Sequence, residues 1–147
     1  MLLAGCAGGK SEGGSAAPTT PSSPTTSTAL SSQVVFHLTG KTPSSDSVRG
    51  GGGSGKFTLS GATTDSGSFV DYRSVSGDVI RIRRVLSAAD GKLTMVVRIK
   101  MGEGDKGWTI TSGSGRYKGA EGNGEELGGV DSAGDLDITM NGSLTGV

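Results

Sequence analysis

Lys92-Leu93-Thr94-Met95-Val96-Val97-Arg98-Ile99-Lys100-Met101 decides the fold. Leu93, Met95, Val97, Ile99 and Met101 share one parity, while Lys92, Thr94, Arg98 and Lys100 share the other. Successive side chains of a strand point to opposite faces, so the segment reads as a strand with one face buried and one wet.

The same period-two pattern extends outward. Val34, Phe36 and Leu38 share a face upstream, and so do Phe57 and Leu59. The 28 glycines punctuate the apolar runs too often for helices of useful length. Turns are expected at Gly50 to Gly53, Asp65-Ser66-Gly67, Ser76-Gly77-Asp78, Asp90-Gly91, Gly102 to Gly107, and Gly128-Gly129 to Gly134. Asp90-Gly91 is expected to be a hairpin turn in which glycine supplies a positive φ. Leu136, Ile138, Met140 and Leu144 keep one parity through Asn141-Gly142, which predicts one long final strand with a bulge at the glycine. Short antiparallel strands at this spacing predict an all-β sandwich or barrel.

Gly55-Lys-Phe-Thr-Leu-Ser-Gly61 with Asp65-Ser-Gly67, Gly107-Trp-Thr-Ile-Thr-Ser-Gly-Ser-Gly-Arg-Tyr-Lys-Gly119 with Gly122-Asn-Gly124, and Leu144-Thr-Gly146 together resemble the allene oxide cyclase and dirigent barrel superfamily. The Gly-x-Gly-x-Tyr-x-Gly stretch around Tyr117 is the most specific part, and the resemblance covers most of residues 33–147. It implies an antiparallel up-and-down barrel of about eight strands. Many bacterial members are secreted proteins without an assigned function. Plant relatives cyclise an unstable fatty-acid epoxide or steer the radical coupling of phenols; from them only the barrel is carried over, and no working residue is assigned to a position in this chain.

At the N-terminus, Leu3-Ala4-Gly5-Cys6 resembles the bacterial lipobox, in which the cysteine becomes the lipid-modified first residue of a mature lipoprotein. Residues 1–6 are thus expected to be the remnant of a lipoprotein signal. Met1-Leu2-Leu3 cannot supply a basic region and an apolar run, so the reading frame is expected to start upstream. Cys6 is the only cysteine and leaves no internal disulfide. Residues 7–32 carry 12 Ser/Thr, Pro18, Pro21 and Pro24, with Leu30 the lone large aliphatic residue. Such a segment cannot repay the entropy of ordering and reads as a disordered linker, spanning about 28 Å as a coil. Residues 33–147 are the right size for one barrel domain. No stretch approaches 18 apolar residues, so membrane association is expected through acylated Cys6, on the extracytoplasmic side.

The formal net charge of +0 argues against a nucleic-acid partner. The distribution is uneven: residues 33–100 hold ten Lys/Arg against five Asp/Glu, and residues 101–147 hold three against eight.

Gly102-Glu-Gly-Asp-Lys-Gly107 fits the dinucleotide fingerprint by spacing only, because a strand follows it and Glu103 and Asp105 would repel a pyrophosphate. No cofactor is expected. His37 is the single histidine and faces away from Phe36 and Leu38, as an exposed strand residue. Asp131, Asp135 and Asp137 lack EF-hand spacing and read as solvated turn carboxylates, so no metal is expected.

Asp78-Val-Ile-Arg-Ile-Arg-Arg-Val-Leu-Ser87 holds the sharpest signal. Whichever parity points inward, an arginine goes with it; with Ile80, Ile82 and Leu86 inside, that arginine is Arg84. A buried guanidinium needs a carboxylate, a mouth position or an anionic ligand. The functional expectation is a lipid-anchored, non-enzymatic barrel that binds a small amphipathic ligand or a cell-envelope partner. Arg84 is its polar anchor, and Trp108, Tyr117, Phe36, Phe57 and Phe69 are the candidate lining. The alternatives are a cyclase or isomerase acting on a reactive lipid-like substrate, and a purely structural or interaction barrel. Eight-stranded barrels are either filled or hold one small ligand.

Overall fold

The computed structural model describes Gly14 and residues 32–43 and 52–147. The lipobox with Cys6, the 7–32 linker apart from Gly14 and Ser32, and Gly50 and Gly51 lie outside the described residues.

Eight strands follow in order: β1 (Gln33–Lys41), β2 (Ser54–Gly61), β3 (Asp65–Ser76), β4 (Val79–Ala88), β5 (Gly91–Lys100), β6 (Lys106–Gly115), β7 (Glu121–Val130) and β8 (Asp135–Thr145). Each pairs antiparallel with the next, and β8 returns to β1 from Gln33↔Ser143 to Lys41↔Asp135. The expected up-and-down barrel is therefore closed. Closure gives every strand a neighbour on both sides. One seam is short: β6 and β7 pair only at Gly107↔Glu125, Trp108↔Gly124 and Thr109↔Asn123.

The interior follows the alternation. Phe36, Leu38, Phe57, Phe69, Leu86, Leu93, Met95, Val97, Trp108, Ile138 and Met140 are all buried. Trp108 meets Phe36 edge to face at 5.7 Å, and its indole N–H donates to the Glu125 carbonyl at 3.2 Å. Most of the barrel is thus filled with side chains.

Five local expectations are corrected. Gly128 and Gly129, expected in a turn, lie inside β7 in register with Ile138 and Asp137. Met101 leaves the apolar stripe, because β5 ends at Lys100 and the methionine is exposed in the turn. Asp65-Ser66-Gly67 opens β3 rather than forming a turn, since these residues pair with Leu59, Thr58 and Phe57 of β2. Gly91 has no positive φ; its reason is space, because a Cβ there would lie 2.3 Å from the Ser114 carbonyl oxygen. At Gly142 there is no bulge: the residue stays in register with Val34 and Gly124. A Cβ on Gly142 would lie 2.5 Å from the Trp108 ring, so the glycine makes room for the indole. The irregularity sits instead between Thr94 and Met95, opposite the extra residue Thr111.

Candidate functional site

The turns β3–β4, β5–β6 and β7–β8 surround one mouth of the barrel, where β1 ends at Lys41 and β2 begins at Ser54. The turns β2–β3, β4–β5 and β6–β7 surround the other, beside Tyr117. The two ends differ in chemistry.

Below the Lys41 mouth, β3 and β4 are joined by a tight turn at Gly77-Asp78, which puts Asp71 directly opposite Arg84. Both side chains point inward. Arg84 Nε donates to Asp71 Oδ1 at 2.8 Å and Nη2 donates to Oδ2 at 2.7 Å, a two-pronged arrangement. Arg84 Nη1 reaches across the lumen to β7, donating to Glu126 Oε2 at 2.7 Å, and also meets the Met140 sulfur at 3.1 Å. The guanidinium lies 5.6 Å from the centre of the Phe69 ring. Arg84 is 0% exposed, and Asp71 and Glu126 are 5% exposed each. Burial works to lower the Arg84 pKa, but the hydrogen bonds and charges of Asp71 and Glu126 outweigh it and hold the pKa above its ordinary value. One cation thus faces two carboxylates, and the cluster cross-links opposite walls.

This cluster borders a cavity of about 180 Å³ that opens at the mouth. Ile80, Ile82, Ile99, Leu136 and Ile138 supply apolar walls, and Arg73 and Lys106 supply two further positive charges. Lys106 Nζ donates to the Gly128 carbonyl at 2.7 Å. Arg73 Nε is buried and has no hydrogen-bond partner among the described residues. A buried donor left unmade costs free energy that an incoming acceptor recovers.

The Tyr117 end carries a polar network beside a hollow lined by Ala62, Thr63, Arg116 and Leu144. The Tyr117 hydroxyl donates to Asp65, which also holds Arg116 Nη1 at 3.4 Å. Arg116 Nη2 donates to Thr63 at 3.1 Å. Burial pushes the Tyr117 phenol well above its ordinary pKa of 10.0, and the hydrogen bond and charge of Asp65 push it further.

Of the residues expected to contact a ligand, Arg84 lines the cavity, but four of its N–H donors are engaged with protein groups. Phe36, Phe57, Phe69, Trp108 and Tyr117 do not line it; they are buried in the packed interior or at the Tyr117 end. His37 is on the outside, its Nε2 2.9 Å from Asp137. Asp131 accepts the Ala133 and Asp135 amides and so shapes the β7–β8 turn.

Asp71, Glu126, Arg73 and Lys106 were not singled out from sequence. Asp71 had a usable signal: counting back from a turn centred on Gly77-Asp78 places it opposite Arg84, with the parity of Phe69. Glu126 had none, because it meets Arg84 only across the closed barrel.

No family model matches the chain, and no curated protein matches it. Among solved structures it is similar to the pterocarpan synthase dirigent protein PsPTS1, with 14% identity and a TM-score of 0.46 over 76% of this chain and 91% of that one. It is also similar to the pterocarpan synthase dirigent protein GePTS1, with 16% identity and a TM-score of 0.45 over 76% of this chain and 84% of that one. Both are dirigent proteins, and the likeness is one of fold alone.

Proposed function

We propose that this protein is a non-enzymatic, extracytoplasmic barrel, tethered to a membrane through acylated Cys6, that binds a small amphipathic anion in the Lys41 mouth. The observation that carries the ligand reading is the unpartnered Arg73 Nε beside isoleucine walls in one open cavity. Arg73 and Lys106 suit an anionic head, and Ile80, Ile82 and Ile99 suit a short apolar body. Asp71 and Glu126 are already neutralised in part by Arg84, so they repel such a head less than free carboxylates would. About 180 Å³ lies below the ~300 Å³ at which drug-sized sites begin and close to the ~150 Å³ that accepts one benzene. A longer tail would therefore emerge through the mouth.

The test is calorimetric titration with hexanoate and with hexanol. Hexanoate is expected to bind at least about tenfold more tightly, since charge-assisted hydrogen bonds are roughly twice as strong as neutral ones. Arg73→Gln should erase that preference. Binding of neither compound, nor of longer carboxylates, leaves the structural or interaction barrel as the reading.

A second reading rests on Asp71 and Glu126, two carboxylates that line the same cavity. It is the cyclase or isomerase acting on a reactive lipid-like substrate. Turnover of a bound ligand that is lost in Glu126→Gln while binding persists would establish it.

A further inference from the structure

The outer wall of β3, β4 and β5 carries cations without carboxylates. Its outward residues are Ser68, Val70, Tyr72 and Ser74 on β3, Val79, Arg81, Arg83, Val85 and Ser87 on β4, and Lys92, Thr94, Val96, Arg98 and Lys100 on β5. Asp71 of β3 is buried on the inner face, and Asp78, Asp90, Glu103 and Asp105 sit in the turns at the two rims. Lys100 pairs with Glu103, but Arg81, Arg83, Lys92 and Arg98 make no ion pair with any described residue.

Arg81 and Arg98 are direct register partners on this wall. Like charges directly opposite each other on a sheet are destabilising. The row they form is flanked by Ser74 on β3 and Gly107 on β6, which leave both guanidinium groups open to a partner. In the next row Arg83 stacks on Tyr72 at 4.5 Å, and Val70 and Tyr72 are 41% and 50% exposed. The opposite wall leans to the other sign: Glu121 and Glu125 on β7 are exposed without an ion-pair partner among the described residues, while Asp135 and Asp137 on β8 are exposed and pair with Lys41 and His37 of β1. The uneven charge of the sequence has become two oppositely charged faces.

We propose that the β3–β5 wall docks on an anionic phospholipid bilayer. Arg81, Arg83 and Arg98 would meet lipid phosphates, and Tyr72 with Val70 would sit at the boundary between headgroups and acyl chains, where amphipathic rings are favoured. The acidic β7–β8 wall is repelled by the same surface, so a single orientation results. Lipid phosphates also relieve the Arg81 and Arg98 repulsion that the protein leaves unpaired. This docking is independent of the mouth cavity and of Cys6.

The test uses the full chain carrying Cys6→Ser, so that no acyl anchor contributes, sedimented with vesicles of phosphatidylcholine alone or with 30% phosphatidylglycerol, a composition on the order of natural anionic content. Binding is expected only with phosphatidylglycerol and should weaken as salt shortens the screening length. Each basic residue at an anionic surface contributes about fivefold, so Arg81→Ser with Arg98→Ser should lower the partition coefficient roughly 25-fold. The double variant should melt no lower than the parent, which separates docking from folding. Equal binding to both vesicle types, no binding to either, or full retention in the double variant overturns the proposal. So does equally tight binding to soluble polyphosphate. A concentration-dependent dimer in sedimentation equilibrium that the double variant abolishes assigns the wall to the acidic face of a second copy instead.

Discussion

Asp71 and Arg84 stand directly opposite each other on β3 and β4 and are joined by two hydrogen bonds of 2.8 and 2.7 Å inside the barrel. The pair is local in origin, since a hairpin turn sets its register. Its role is long-range, because the same guanidinium holds Glu126 on β7. A buried ion cluster adds less net stability than its contacts suggest, yet removing one member strands the rest. That asymmetry makes the cluster testable.

Arg84→Leu should cost about 3–5 kcal/mol or more in urea unfolding, because two buried carboxylates lose their partner. Combining it with Asp71→Leu and Glu126→Met should recover most of the loss. If the single variant is as stable as the parent, the cluster does not hold the two walls together.

Gly142→Ala should destabilise by roughly 1–3 kcal/mol, the usual cost of overpacking. The added methyl would lie 2.5 Å from the Trp108 ring and 2.2 Å from the Asn123 carbonyl oxygen. Thermal melts of the two proteins decide it, and an unchanged midpoint would mean that the indole can move freely.

The Tyr117 phenol is raised in the fold above its ordinary 10.0 by burial and by Asp65. A raised folded pKa contributes stability that is fully present below the unfolded value and lost as pH rises towards the folded one. Stability should therefore fall above about pH 10 in the parent, and less steeply in Tyr117→Phe. Chemical unfolding at pH 8 and pH 11 compares the slopes. In a Tyr72→Phe background, absorbance at 295 nm should show Tyr117 ionising only as the barrel opens.

A chain beginning at Ser32 should unfold within about 0.5 kcal/mol of the full chain, since residues 7–32 lack the apolar content to join a core. Ser32 itself should be kept, because its carbonyl accepts the Leu144 amide at 2.8 Å. A larger shift in the urea midpoint would mean that the preceding segment packs on the barrel.

Acylation of Cys6 predicts that metabolic labelling with a lipid probe marks the protein and that Cys6→Ser abolishes the label. Unlabelled protein wholly in the soluble fraction would remove the membrane tether from the proposed function.

The sequence alone determined strands at β1, β2, β5 and β8 and which parity of β5 points inward, because a strand's side-chain period is local and a clean hydrophobic stripe names its own buried face, whereas β4 carries apolar residues on both parities and β7 carries no stripe. The Gly-x-Gly-x-Tyr-x-Gly stretch added the barrel, through resemblance. Arg84 was legible as a buried charge, and Asp71 could have been counted from the Gly77-Asp78 turn. Where a residue serves a distant neighbour, local pattern is silent. Gly142 read as a bulge, although its smallness serves Trp108 on another strand. Glu126, Arg73 and Lys106 carried no period-two signal that set them apart from solvated charges. Their convergence on one cavity depends on how β3, β6 and β7 are carried round the closed barrel to face the same lumen. That is set by pairings between residues far apart in sequence, so only the tertiary structure decided it.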